Sequence, residues 1–159
     1  LASGKGGFFD YYKQLNYGFG TDGAASSNTL NPVEQARLFG LMGKYQERNS
    51  AAYTATEIWQ HLMASHQAFP FGSGRLKEGA PADLVIWDLY QPDTFPFYSP
   101  ISAILYSSNS QNVKYTMVAG EFLKYNGKLK IDTKTLTQEA VRLQKALLER
   151  GKGKAQVAY

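Results

Sequence analysis

The chain has 159 residues, of which 43% are hydrophobic and 14% aromatic, so it can build one domain with a sizeable core and is unlike a disordered chain. Its formal net charge is +4, and the absence of cysteine excludes disulfides, thiolate metal sites and cysteine nucleophiles, which fits the cytoplasm. No apolar run approaches the roughly 18 residues that a membrane-spanning helix needs.

The first part of the chain is predicted to be mostly helical. Residues 8–15 carry apolar side chains at helical spacing, and residues 17–20 form a short apolar run typical of a buried strand. Asn31 followed by Pro32 predicts a helix that extends to about residue 46. A capping box at residues 54–57 begins another helix, which Pro70 and Gly72 end.

After Gly72 the pattern changes to short strands. Asn126-Gly127 is a typical hairpin turn, and residues 135–138 resemble a capping box at the start of a last helix. Helices followed by antiparallel strands indicate two structural layers. The predicted strands cover residues 84–87, 101–106, 113–119 and 121–125.

Residues 17–26 are the most informative for function. Their apolar run ends at Asp22, which lies between Thr21 and Gly23 among small, flexible residues. An aspartate delivered at the end of a strand, with glycines that allow close approach, suits a metal ligand or a proton acceptor. Thr-Asp-Gly is also ordinary turn chemistry, in which the carboxylate caps a loop or the next helix. Both interpretations stay open on the pattern alone.

Three segments, in chain order, resemble the amidohydrolase superfamily in its cytosine-deaminase-like and chlorohydrolase-like branch. Gly-Thr-Asp-Gly-Ala-Ala-Ser at residues 20–26 resembles the end of the eighth barrel strand of that family. Residues 74–88 match its G-x-L-x-x-G-x-x-A-D-L-V-x-x-D signature at every defined position. Residues 99–106 and 113–120 are similar to its D-P-V…V-x-x-V-x-V-x-G stretch.

The resemblance implies an α/β fold, namely the C-terminal part of a metal-dependent hydrolase (β/α)8 TIM barrel with strands of a flanking composite β-sandwich. The implied divisions are residues 1–72 for the last barrel strand and its helices, 73–134 for the sandwich strands, and 135–159 for a helix and basic tail. A complete barrel needs roughly 250 residues. The chain also begins at Leu1 rather than Met, so a missing N-terminal barrel portion is expected.

Family members hold one zinc or iron ion with an H-x-H pair, a later histidine and the strand-eight aspartate, and a further upstream histidine and glutamate complete the proton transfers. The resemblance places Asp22 in the ligand and proton-acceptor role. It implies deamination of a nitrogen heterocycle: an adenosine-type nucleoside, guanine or an s-triazine. Ser26 and Asn28 either orient Asp22 or cap the next helix, and the sequence favours neither.

The chain contains His61 and His66 but no H-x-H pair. Five residues apart on a helix, these side chains point about 140° away from each other. They cannot form a paired metal site there, and we expect surface or helix-end histidines. With Asp22 as its only matching ligand, the chain alone is expected to be inactive.

Two other classes of function are weighed against the enzyme. A tyrosine-rich module with a basic tail at residues 142–154 could bind nucleic acid, but the tyrosines follow helix and strand spacing rather than the lysines. A further alternative is assembly with a separate upstream chain or with copies of itself, since an open barrel edge favours association.

Overall fold

The computed structural model describes residue 9, residues 11–67 and residues 74–151. In this part of the chain, three α-helices precede a four-stranded antiparallel sheet, a short helix lies between the first two strands and a long helix follows the last, which confirms the predicted order of the two layers. None of the helices it describes is both long and apolar enough to cross a membrane. The helices are α1 (Ala24–Ser27), α2 (Pro32–Glu47), α3 (Ala55–Gln67), α4 (Pro100–Ser102) and α5 (Thr133–Arg150), and the strands are β1 (Leu84–Trp87), β2 (Val113–Val118), β3 (Glu121–Tyr125) and β4 (Lys128–Leu129).

Local capping signals place the two long helices of the first layer. The Asn31 side-chain oxygen accepts hydrogen bonds from the amides of Val33 and Glu34 at 3.1 and 3.3 Å, and Pro32 is the first helical residue of α2. The Thr54 hydroxyl accepts from the Glu57 amide at 3.3 Å at the start of α3. Both predicted starts are confirmed because these contacts satisfy amides that have no partner within the helix. The predicted stop of α3 at Pro70 and Gly72 lies outside the described residues.

Close contact between α2 and its neighbours depends on glycine. A Cβ added at Gly40 would lie 2.5 Å from the Ile58 side chain, and one at Gly43 would lie 2.6 Å from the ring of Tyr53. The absence of side chains at these two positions therefore lets α3 and the preceding loop pack directly on the α2 backbone. The main core around this contact consists of Tyr12, Ala36, Tyr53, Ile58, Leu62 and Leu105.

Two predictions for the start of the chain have different outcomes within the described residues. The predicted continuous helix at residues 8–15 is wrong: residue 9 and Tyr12–Gln14 are in short helical turns, Tyr11 is not helical, and residues 8 and 10 lie outside the described part. Residues 17–20 are extended but belong to no strand of the described sheet. A parallel barrel strand needs neighbouring strands on its edges, and the described residues supply none for this segment.

The predicted strand at residues 101–106 is also wrong. This apolar run is helical: α4 continues into one wide turn at Ala103–Ser107 with a hydrogen bond from the Ser108 amide to the Ala103 carbonyl. The Ser99 hydroxyl accepts from the Ser102 amide, and Pro100 is the first helical residue. A short apolar run cannot be distinguished from a buried helical turn by periodicity alone.

The sheet is a meander in the order β1-β2-β3-β4, with every neighbouring pair antiparallel. Its two tight turns place consecutive residues at positive φ: Ala119 and Gly120 at 50° and 83°, and Asn126 and Gly127 at 46° and 78°. The second turn confirms the predicted Asn-Gly hairpin. The Asp83 carboxylate, next to the first residue of β1, accepts from the Ala119 amide at 2.7 Å and so joins β1 to the first of these turns.

Helix α5 begins at Thr133, and its cap lies three residues before the predicted cap at Thr135. Its cap is Asp132, whose Oδ1 accepts from the amides of Lys134 and Thr135 at 3.1 Å each. The Thr135 hydroxyl donates to the other carboxylate oxygen, so it supports the cap rather than forming it. No side chain of α5 is buried.

Candidate functional site

Asp22 lies where the extended segment ends and α1 begins. Its φ is 58°, in the left-handed region that non-glycine residues seldom adopt and that aspartate tolerates better than most. The residue is exposed, and its Oδ1 accepts a hydrogen bond from the Gly23 amide at 2.7 Å. The Thr21 hydroxyl donates to the Asp22 carbonyl at 3.1 Å. These two hydrogen bonds within the turn therefore orient the carboxylate and hold the backbone on either side of Asp22.

This geometry includes the turn contact that was one interpretation of Thr-Asp-Gly. Gly23, the donor to Asp22, is the residue before the first turn of α1, so the carboxylate does not cap that turn through Gly23. A carboxylate oriented by a backbone amide is also compatible with a metal ligand, since ligating carboxylates are usually hydrogen-bonded themselves. The metal and proton-transfer role of Asp22 stays a prediction.

The two proposed supporting residues lie in the same short helix region. Ser26 is within α1, and Asn28 is the residue that ends it, with φ 58° and its amide donating to the Ala24 carbonyl at 3.0 Å. Asn28 therefore has a helix-ending backbone role, and its side chain is exposed. Ser27, which the sequence interpretation passed over, has a buried hydroxyl without a hydrogen-bond partner among the described residues. Its position between Ser26 and Asn28 was the one signal in the sequence that could have pointed to it.

The histidines differ from each other in a way the sequence did not predict. His66 is exposed near the end of α3, as expected, but His61 is half-buried. The His61 Nδ1 lies 3.1 Å from the Tyr17 carbonyl oxygen, and the two rings stack with centroids 3.9 Å apart and an interplanar angle of 9°. Burial, together with the negative charge of Glu57, raises the pKa of the Tyr17 hydroxyl to about 12. His61 is thus a packing partner of the extended segment, and the prediction of a surface position is wrong for it.

The donors of the described residues do not complete a metal site. No group of three or more histidine, aspartate or glutamate side chains is placed to hold an ion in the part of the chain that the structure describes. The carboxylate of Asp22 is an oxygen donor of a kind that zinc accepts. One such carboxylate can supply a single position of a zinc ligand set.

Known proteins are similar to this chain along most of its length. The model of the amidohydrolase family matches residues 11–123. A 5-methylthioadenosine/S-adenosylhomocysteine deaminase of Caldicellulosiruptor saccharolyticus is 36% identical over 153 residues, which are 94% of this chain and 36% of the relative. A 5′-deoxyadenosine deaminase of Methanopyrus kandleri is 38% identical over 119 residues, 72% of this chain and 27% of the relative.

A solved structure has the same arrangement of elements. The adenosine deaminase from Xanthomonas campestris, crystallised with bound zinc, superposes with a TM-score of 0.77 at 26% identity over 85% of this chain and 32% of its own. The chain thus spans about a third of the length of the proteins it matches. The predicted α/β class, as part of a barrel hydrolase fold, is confirmed. Because the family model matches residues 11–123, more than half of its length, the chain belongs to the amidohydrolase family.

Proposed function

We propose that the full-length protein is a metal-dependent hydrolase that deaminates an adenosine-type nucleoside, with Asp22 as a metal ligand and proton acceptor. In this reaction the oxygen of water bonds to the ring carbon that carries the amino group, and the C–N bond breaks. The proton taken from water passes to the leaving nitrogen, which departs as ammonia. The oxygen atom remains on the ring.

The observation that carries this proposal is the position of Asp22. Its exposed carboxylate stands at the end of the extended segment, in a turn that the Gly23 amide and the Thr21 hydroxyl fix. The choice of substrate is supported by the relatives, whose names specify deaminases of 5-methylthioadenosine, S-adenosylhomocysteine and 5′-deoxyadenosine. Guanine and s-triazines are the alternatives within the same reaction class.

One divalent ion fits the carboxylate of Asp22, the one metal ligand proposed in this chain. When bound, the ion would lower the pKa of a water molecule, so that water attacks near neutral pH. Zinc is favoured over iron because a structural neighbour was crystallised with it. Asp22 would hold the ion by a carboxylate oxygen and accept the proton from the attacking water. Ser26 and Asn28 would support it, and the remaining ligands would belong to an N-terminal barrel portion outside residues 1–72.

The experiment is ammonia release by the full-length protein against a substrate panel, with zinc and iron measured in the same samples by plasma mass spectrometry. 5-Methylthioadenosine, S-adenosylhomocysteine and 5′-deoxyadenosine should be deaminated faster than guanine or an s-triazine. Asp22→Asn keeps the side-chain shape and the tolerance for positive φ, and should reduce kcat by about 10²–10⁴-fold together with bound metal.

The matched control is Glu121→Gln, an equally conservative change at an exposed strand residue. It should leave kcat and metal content unchanged. Wild-type turnover and full metal content in Asp22→Asn would refute the proposed role of Asp22. If guanine or an s-triazine were turned over faster than the three nucleosides, the proposed substrate class would be refuted, while the proposed reaction, hydrolytic deamination, would stand.

A further inference from the structure

Two side chains one turn apart on α3 hold the backbone that leads to Asp22. The His61 Nδ1 lies 3.1 Å from the Tyr17 carbonyl oxygen, and the Phe19 amide donates to the Ser65 hydroxyl at 2.7 Å. In an extended segment, residues i and i+2 direct their backbone groups to the same edge. The carbonyl of Tyr17 and the amide of Phe19 therefore lie on one edge, and each contacts a side chain of α3 there.

The two contacts are linked to each other. The Ser65 hydroxyl donates to the His61 carbonyl at 3.3 Å, which directs its proton back along α3 and leaves a lone pair for the Phe19 amide. The stacking of the His61 ring on Tyr17 adds an apolar contact to the hydrogen bond. Each side chain therefore has its orientation fixed by more than its contact with the extended segment.

The close approach of α3 to the segment depends on Gly18. A Cβ at this position would lie 2.4 Å from the Ser65 oxygen and 2.9 Å from the Ser65 Cα. Glycine between Tyr17 and Phe19 lets the serine reach the backbone on either side. The contact is thus specific to one register of the segment, because a shift by one residue would bring a large aromatic side chain against Ser65.

We propose that His61 and Ser65 are positioning residues that set Asp22 for metal binding. Only two residues lie between Phe19 and Asp22, and the Asp22 backbone is itself held at φ 58°. If the extended segment moved, the Asp22 carboxylate would therefore move by nearly the same distance. Displacements of about 1 Å at a catalytic group can reduce turnover 100-fold. This inference rests on the proposed role of Asp22 as a metal ligand.

The test uses the full-length protein and measures zinc affinity by chelator competition beside kcat and KM. His61→Phe keeps a ring for stacking on Tyr17 but removes the hydrogen bond, and Ser65→Ala removes the acceptor for the Phe19 amide. We expect each to weaken zinc binding by about 10–100-fold and to lower kcat with little change in KM, because outer contacts of a ligand have effects of this size. His61→Asn, which places an amide near the Nδ1 position, should recover most of the affinity.

The matched control is His66→Phe, the same substitution five residues further along α3 at an exposed position. It should leave zinc affinity unchanged. Wild-type zinc affinity and kcat in both His61→Phe and Ser65→Ala, even with a lowered midpoint of unfolding, would overturn the inference, because a purely structural contact changes stability alone.

The two proposals fail in distinguishable ways. Loss of zinc in Asp22→Asn with wild-type zinc affinity in the α3 variants overturns only the positioning role. Retention of zinc in Asp22→Asn overturns the proposed function and, with it, the basis of the positioning role.

Discussion

Gly18→Ala is the substitution whose effect follows most directly from the structure. The added Cβ would lie 2.4 Å from the Ser65 Oγ and 2.9 Å from the Ser65 Cα, both inside contact distance. The hydroxyl can rotate away, but it then abandons the Phe19 amide that it accepts from. The Cα cannot move without shifting α3 itself. The change therefore adds a clash and removes a hydrogen bond.

The expected loss in free energy of unfolding comes from these two effects. Forcing an extra methyl group into a packed contact costs about 1–3 kcal/mol. Loss of a hydrogen bond with a half-buried amide adds about 0.5–1.5 kcal/mol. We expect Gly18→Ala to destabilise the full-length protein by about 1.5–4.5 kcal/mol, measured from urea unfolding curves with a common slope.

Gly20→Ala provides the matched control two residues away. A Cβ at Gly20 meets nothing within 4 Å among the described residues, and its φ is outside the left-handed region. Removing a glycine from such a position changes stability by less than about 1 kcal/mol, and in the stabilising direction. Equal unfolding midpoints for Gly18→Ala and Gly20→Ala would refute the reasoning, because it assigns the cost to contact with Ser65 alone.

Two further predictions concern groups away from the candidate site. Tyr106→Phe removes a buried hydroxyl that has no hydrogen-bond partner among the described residues, so the free energy of unfolding should stay the same or rise by up to about 2 kcal/mol. The control, Tyr45→Phe at an exposed tyrosine, should leave the free energy of unfolding unchanged. A clear loss of stability in Tyr106→Phe would contradict this prediction. Hydrogen bonding from Gln91 and a backbone amide, with the nearby Lys114, holds the pKa of Asp88 below its usual 3.8. Because the folded-state pKa is the lower one, this contribution is present above the unfolded pKa and is lost as the pH falls through the folded value. Asp88→Asn should therefore lose less stability than the wild type on acidification below about pH 4. If the free energies of unfolding of the two proteins, measured in urea, instead fall in parallel with pH, Asp88 makes no such contribution.

Local signals in the sequence were sufficient to predict the starts of α2 and α3. Asn31 and Thr54 cap α2 and α3 by contacts within three residues, so their chemistry is readable without knowledge of the rest of the fold. The Asn126-Gly127 turn is of the same kind. Ser99 and Pro100 carried an equally local helix signal, but the strand-like length of the apolar run that follows obscured it.

The supporting contacts of the candidate site could not be predicted in the same way. Asp22 was found because of its motif, whereas the partners of its segment, His61 and Ser65, lie 44 and 46 residues from the backbone groups they contact. Contacts over such separations depend on how α3 packs, and helical spacing alone says only that the two side chains share a face. The extended segment at residues 17–20 also read as a strand, but pairing depends on neighbours that the described residues do not contain.

With the role proposed for Asp22, its left-handed backbone would place stability and activity in opposition at this residue. An L-residue held at φ 58° carries a strain on the order of 1 kcal/mol that glycine would not. A laboratory selection for heat resistance alone would therefore favour glycine at position 22 and yield a more stable protein that lacks this carboxylate. Retaining aspartate under such a selection requires that turnover be screened alongside survival, and this makes residue 22 a poor target for consensus or thermostability engineering.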